Sequence, residues 1–354
     1  MSTSNDKEPL RITSDDLARV VVPEELPLAT SGQPSSGAKS YGSITDAADK
    51  APAVAEERGS VLLQGWFYLG AAGLLGSLLA WGLCERAFID GAGGHRWGNV
   101  LMIPVIITFM CLGFGLAESL VERSIQKALL RGILALPLGI VLGFMFDFIA
   151  NIIYTIGLSI CAEMGVQSYR NPAVWIARGL GWAVFGAAAG TVYGIVGQSW
   201  KKAKYGIIGG LIGAGIGGMI FDPISMATKG GSVSRAVGFA LVGIATGVAM
   251  GLVESALKDR WLYVTAGPLA GKQFILYKAQ TSIGSQQQSD IYLFKDSNIL
   301  AQHALIGISG SRVMLKALGP AFVGGSPVQT RMLQDGDLLQ VGRYAFRYKE
   351  RHRS

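Results

Sequence analysis

Ile283-Gly284-Ser285, Ser289-Asp290-Ile291-Tyr292-Leu293, Ile299-Leu300-Ala301-Gln302-His303-Ala304 and Leu333-Gln334-Asp335-Gly336-Asp337 follow one another near the end of this 354-residue chain. Each is a short apolar or β-branched run broken by turn residues, and the pattern holds from residue 262 to 348. Strands are expected at 262–264, 274–277, 291–293, 304–308, 313–315, 338–341 and 344–348. Asp335-Gly336 reads as a tight turn, because both residues tolerate the backbone that such turns require. Regular short strands between Gly, Pro and Ser turns mean an all-β sandwich or barrel.

Upstream the pattern changes. Residues 61–257 hold six apolar runs, near 61–84, 100–118, 132–157, 174–196, 206–222 and 236–255. Most approach the roughly 20 residues that cross a bilayer core as a helix. Without barrel-type alternation, such runs satisfy their backbone groups in lipid only as helices. The predicted fold is therefore multi-domain. An all-α polytopic bundle of six helices precedes an all-β sandwich at 258–354. Residues 1–60, rich in Ser, Thr, Pro and acids, form an acidic tail expected to be disordered. No apolar run precedes residue 61, so no cleavable signal peptide is expected.

Charge divides the same way: net −4 over 1–60, +4 over 61–257 and +7 over 258–354. Six spans place both ends on one side. That side carries Arg58, Arg123, Lys127, Arg131, Lys201, Lys202, Lys204, Lys258 and Arg260. The other carries Arg86, Arg96, Arg170, Arg178, Lys229 and Arg235. The positive-inside rule puts both termini in the cytoplasm and the protein in the cell membrane. The basic sandwich suits a membrane-lipid surface. No basic helix or aromatic–basic strand points to nucleic acid. Cys84, Cys111 and Cys161 lack paired spacing, and His95, His303 and His352 are scattered, so neither a disulfide framework nor a metal site is expected. No catalytic motif or cofactor-binding loop is present, and the chain reads as a non-enzyme.

The helical block is an internal repeat. Residues 178–190 align with 235–247 at an offset of 57 without a gap. Gly115-Leu116-Ala117-Glu118-Ser119 matches Gly251-Leu252-Val253-Glu254-Ser255, and Phe146-Asp147 matches Phe221-Asp222. Three hairpins of common origin follow. Gly186-Gly190-Gly194, Gly209-Gly213-Gly217 and Gly243-Gly247-Gly251 line helix faces where backbones can touch. They serve either internal packing or homo-oligomerisation and a pore. Asp147, Arg178, Asp222 and Arg235 lie at one depth, roughly 22–24 Å from the inner end of their spans. This polar level reads as a ring of ion pairs latching the hairpins, with a permeation path as the alternative. Glu118 and Glu254 are expected to snorkel to the inner surface.

The stretch 262–348 resembles the forkhead-associated family, whose members are small β-sandwiches that read phosphothreonine on a partner. Gly284, His303, Asp335, Gly336, Asp337 and Gly342 match its fold positions. The phosphate-site positions are substituted. The family's arginine falls on Ser285, its serine on Leu300 and its asparagine on Gly324. The resemblance implies that His303 holds loops in place. A phosphate needs an arginine fork and a hydroxyl, and Lys295, Arg312 and Arg331 are the remaining sources of charge. The sequence therefore reads as a multi-pass membrane scaffold presenting a cytoplasmic protein-interaction domain. A protein partner is expected, and a phosphoprotein is not the favoured one. The alternative is a channel or transporter that the sandwich regulates.

Overall fold

Side-chain caps, rather than the ends of the apolar runs, set where three of the helices begin. In a computed structural model, residues 57–90, 96–166, 168–228 and 230–351 are described. Of the tail expected to be disordered over 1–60, residues 1–56 lie outside them, but 57–60 are held on the sandwich, with Glu57 N donating to Thr265 O and Ser60 N to Ala270 O. The glycines at 91–94, Lys229 and the residues after 351 also lie outside. Six helices run α1 Gly65–Cys84, α2 Trp97–Val121, α3 Ile125–Glu163, α4 Pro172–Val196, α5 Trp200–Ala227 and α6 Gly231–Leu257. All six have membrane-spanning length and apolarity. Ser124 accepts from the Lys127 amide, Asn171 from Ala173 and Ser199 from Lys202. Each cap starts its helix before the apolar run begins. The largest departure is α3. Its 39 residues replace an expected 132–157 and extend it at both ends, to about 58 Å at 1.5 Å per residue.

The helices close into a ring, each packing on its sequence neighbours and α1 on α6. Leu69, Ile106, Phe114, Trp182, Phe185 and Phe239 lie in the core. The glycine rows are consumed here. A Cβ on Gly186 would strike the Gly210 carbonyl of α5, one on Gly213 would strike Ala245 of α6, and one on Gly243 would strike Gly73 of α1. Backbones at this separation gain van der Waals contact that no larger residue permits.

The polar level differs from the expected ring. Arg178 Nε meets Asp222 Oδ2 at 2.9 Å, joining α4 to α5, and Arg178 Nη2 donates to Tyr154 of α3 at 3.0 Å. Arg235 instead takes Glu85 at 2.6 Å and Asp90 at 2.6 Å, at the end of α1. Asp147 accepts from Asn151 at 3.1 Å and borders the cleft that Arg178 lines. At the α2 position matching Arg235, counted from the Gly115/Gly251 pair, stands Asn99. The first hairpin has thus lost the arginine that Asp147 would take.

Eleven strands follow. They are β1 Arg260–Ala266, β2 Gln273–Ile275, β3 Gln280–Gly284, β4 Ile291–Tyr292, β5 Ala304–Ser309, β6 Arg312–Ala317, β7 Ala321–Val323, β8 Ser326–Pro327, β9 Thr330–Met332, β10 Leu338–Val341 and β11 Tyr344–Glu350. Two sheets form, in the orders β2-β1-β11-β10-β7-β8 and β4-β3-β5-β6-β9. Between them Leu262, Val264, Ile306, Leu315, Phe346 and Tyr348 are fully buried. Each such side chain contributes about 1.5–3 kcal/mol. The Asp335-Gly336 turn is tied to β11: Gly336 N donates to Tyr348 O, Tyr348 N to Asp337 O, and Glu350 N to Asp335 Oδ1. Gly336 has φ +92°, open to glycine and costly to others.

Gly186→Ala is expected to lower the melting temperature of the detergent-solubilised protein by several degrees, because the Gly210 carbonyl cannot retreat. Gly82→Ala, whose Cβ would meet nothing within 4 Å, is expected to leave it equal or raise it, at about 0.5–1 kcal/mol of helix propensity. Equal effects at the two positions would mean that the glycine row does not set the helix spacing.

Candidate functional site

Two loops and strand β3 converge on one buried imidazole at an end of the sandwich. His303 opens β5, and its own amide donates to Ile283 O of β3 at 2.8 Å. Leu300 N donates to its Nδ1 at 3.1 Å, and Nε2 lies 2.9 Å from Pro320 O. Because Nδ1 accepts, Nε2 carries the proton, and the ring is a neutral clasp between the β4–β5 and β6–β7 loops. Its carbonyl accepts from Leu318 N and Gly319 N. A Cβ on Gly319 would sit 2.6 Å from the ring, so glycine is required there. Gly284 is equally confined, against the Ala301 carbonyl.

The expected phosphate-site positions separate. Ser285 and Leu300 come together, with Ser285 N donating to Leu300 O at 2.9 Å. The Ser285 hydroxyl is spent on Ile299 O at 2.8 Å. Leu300 is 48% exposed, and Leu318, whose amide donates to the His303 carbonyl, is 45% exposed. Gly324 is not among them. It lies with Gly325 in the β7–β8 turn, at the far end of β7 from Pro320. The loop that meets His303 is 318–320, which spacing alone did not identify. Of the basic residues, Lys295 (φ +62°) is in the β4–β5 loop. Arg312 stands at the opposite end of β5, paired with Ser309, and Arg331 Nη1 leans 3.5 Å from Val323 O. Arg312 and Arg331 are thus both placed away from the Ser285–Leu300 edge.

No family model matches the chain. Over 86 residues it is 34% identical to the glycogen accumulation regulator GarA of Mycolicibacterium smegmatis, covering 23% of this chain and 54% of that protein. The oxoglutarate dehydrogenase inhibitor of Corynebacterium efficiens is 33% identical over 86 residues, 23% of this chain and 60% of that one. The C-terminal sandwich is of the forkhead-associated type. Among solved structures, the forkhead-associated domain of the CT664 protein from Chlamydia trachomatis is 26% identical with a TM-score of 0.25, covering 27% of this chain and all of that chain. The chain spans little more than half the length of the curated relatives it matches.

The forkhead-associated sandwich is fixed to the helices through the loop that follows Ser285. Ser124 Oγ donates to Gln287 O at 3.1 Å, Gln288 Nε2 to Gln126 Oε1 at 2.6 Å, and Lys127 Nζ to Asp290 O at 3.1 Å. The Arg123 guanidinium lies 5.7 Å over Phe294. Burial works against the Asp290 charge. Hydrogen bonds from Lys278 and Ser282 outweigh it and hold the carboxyl below the usual range. Burial pushes Tyr344 up to about 12, and its hydroxyl anchors the β4–β5 loop by donating to Phe294 O at 2.6 Å.

Deeper in the seam, Glu122 lies between Lys127 at 3.2 Å and Lys272 of the sandwich at 3.0 Å. Lys272 is 1% exposed and faces the Tyr68 and Phe274 rings at 5.6 and 5.0 Å. Glu118 takes Arg131 at 2.9 Å and Lys202 at 2.6 Å, and Glu254 meets Tyr193 and Tyr277. The two repeat-matched glutamates therefore face the seam instead of snorkelling to open water. Lys272, which takes Glu122, and Tyr277, which takes Glu254, carry no sequence signal, because an isolated Lys or Tyr near a strand has no telling spacing.

Glu122→Leu is expected to destabilise the full chain by about 3–5 kcal/mol, the cost of leaving the buried Lys272 charge without its acid. Lys272→Met with Glu122→Leu is expected to cost less than the two single changes together. Strict additivity in thermal unfolding would show that the pair does not hold the seam.

Proposed function

We propose that this chain is a multi-pass membrane scaffold whose six helices hold the forkhead-associated sandwich at the cytoplasmic surface. There the sandwich binds a protein partner without needing phosphate. The observation that carries this reading is the Ser285–Leu300 edge. The serine hydroxyl is already bonded within the domain, and the exposed side chains are Leu300 and Leu318. A dianion placed there would lose water and gain no fork of donors. An apolar partner segment would gain contact on those leucines. That the matched relatives are named a regulator and an inhibitor supports a binding role over a catalytic one.

The full chain in nanodiscs, titrated with phosphothreonine peptides and their unphosphorylated counterparts, tests this. Equal affinities are expected, weakened together by Leu300→Glu. Phosphate-dependent binding in the micromolar range, about −8 kcal/mol, would instead make the protein a kinase-controlled adaptor.

A transporter is the competing reading, and Asp222 separates the two. Arg178 binds both Asp222 and Tyr154, which supports a latch joining α3, α4 and α5. Asp222→Asn is expected to lower the unfolding free energy by about 3 kcal/mol and to alter no ion flux in proteoliposomes. Retained stability with altered flux would favour transport.

A further inference from the structure

Between the sandwich and the helices lies a cavity of about 430 Å³. Its floor is formed by the ends of α2 and α4 and the first turns of α3 and α5, and its roof by the sandwich from Phe274 to Lys278. Lys127, Arg131, Lys202 and Lys278 line it, against Glu118, Glu122 and Asp290, leaving one positive charge over. Each acid is already engaged: Glu118 by Arg131 and Lys202, Glu122 by Lys127 and Lys272, and Asp290 by Lys278 at 2.8 Å. The bases are not all used. Among the described residues, Arg131 gives only Nη1 to a protein acceptor, out of five guanidinium donors. The side chain of Lys278 is 38% exposed.

The rim is of a different kind. Leu130 and Leu134 of α3 line the cavity and are 59% and 42% exposed. They continue into the exposed apolar face of α3 that carries Leu129, Ile133 and Leu136. A charged chamber therefore opens sideways onto hydrocarbon-type surface. A soluble anion gains nothing from that rim. An amphiphile with an anionic head and apolar tails matches both parts.

We propose that this cavity binds the phosphate headgroup of an anionic phospholipid. Arg131 and Lys278 grip the phosphate from floor and roof, and the acyl chains lie along Leu130 and Leu134. The ligand then bridges helices and sandwich and makes their docking depend on lipid. The proposal rests on the membrane reading of the six helices. Retention of the protein in alkali-washed membranes checks that reading on its own, since failure there leaves no bilayer to supply the ligand.

The test uses the full chain, delipidated in detergent and offered phosphatidylglycerol or phosphatidylcholine in native mass spectrometry. Phosphatidylglycerol is expected to be retained over phosphatidylcholine. Arg131→Gln and, separately, Lys278→Gln are each expected to reduce that preference about fivefold, the effect of one basic side chain at an anionic surface. Lys278→Gln, at the partly exposed roof, serves if Arg131→Gln fails to fold. Equal retention of the two lipids, or a preference that neither variant moves, would overturn the proposal. Glycerol phosphate binding as tightly as phosphatidylglycerol would overturn the lipid as the source of the phosphate.

Discussion

Two charges sealed from water, Glu122 on the helical block and Lys272 on the sandwich, stand 3.0 Å apart. Taking such ions out of water costs several kcal/mol each, which close pairing must return. The remaining seam contacts are arranged around this requirement. Lys127 supplies a second cation to Glu122, and Glu118 draws Arg131 and Lys202 into the same layer. Only Lys258 and Asp259 separate α6 from β1. Arg351, just beyond β11, donates to the Ala256 carbonyl at the end of α6. These contacts hold the sandwich against the helix ends.

That position decides what the recognition end of the sandwich can offer. Ser285 is followed at once by the loop that rests on the α2–α3 turn, so the edge around Leu300 stands beside the helices. A partner reaching it meets a rigid surface, because His303, Tyr344 and Asp290 have already fixed the three loops. Little ordering entropy is left to lose on binding, and preorganisation of this kind favours affinity.

Much of this was legible in the sequence, where the signal was periodic. Apolar runs marked the six helices, and the glycine rows lie where helix backbones touch. Asp335-Gly336-Asp337 marked the turn that joins β9, β10 and β11. The reading failed where spacing carries no information. Strand β3 opens on Gln280-Thr281-Ser282, too polar for an apolar-run search, yet Thr281 and Ile283 face inward. Arg178 and Asp222 did pair, whereas Arg235 found Glu85, because the first hairpin has diverged and places its acid at a helix end. Gly324 matches a family position by order in the chain, but β7 lies between it and the 318–320 loop that meets His303. Partners across the seam come from segments far apart in sequence, and only the folded chain brings them together.

Closure of the ring by α1 against α6 also sets an order of assembly. Gly73 and Leu69 of α1 lie under Gly243 and Gly247 of α6, so the earliest of these six helices is completed by the latest. At translation rates of 5–20 residues per second, α1 waits on the order of ten seconds for its partner. During that time its small-residue face is open to wrong helices, while α4 and α5, joined by a short turn, meet almost at once. The sandwich follows α6 directly and docks on a floor contributed by α2 through α6. It is therefore made only once every helix it rests on is complete.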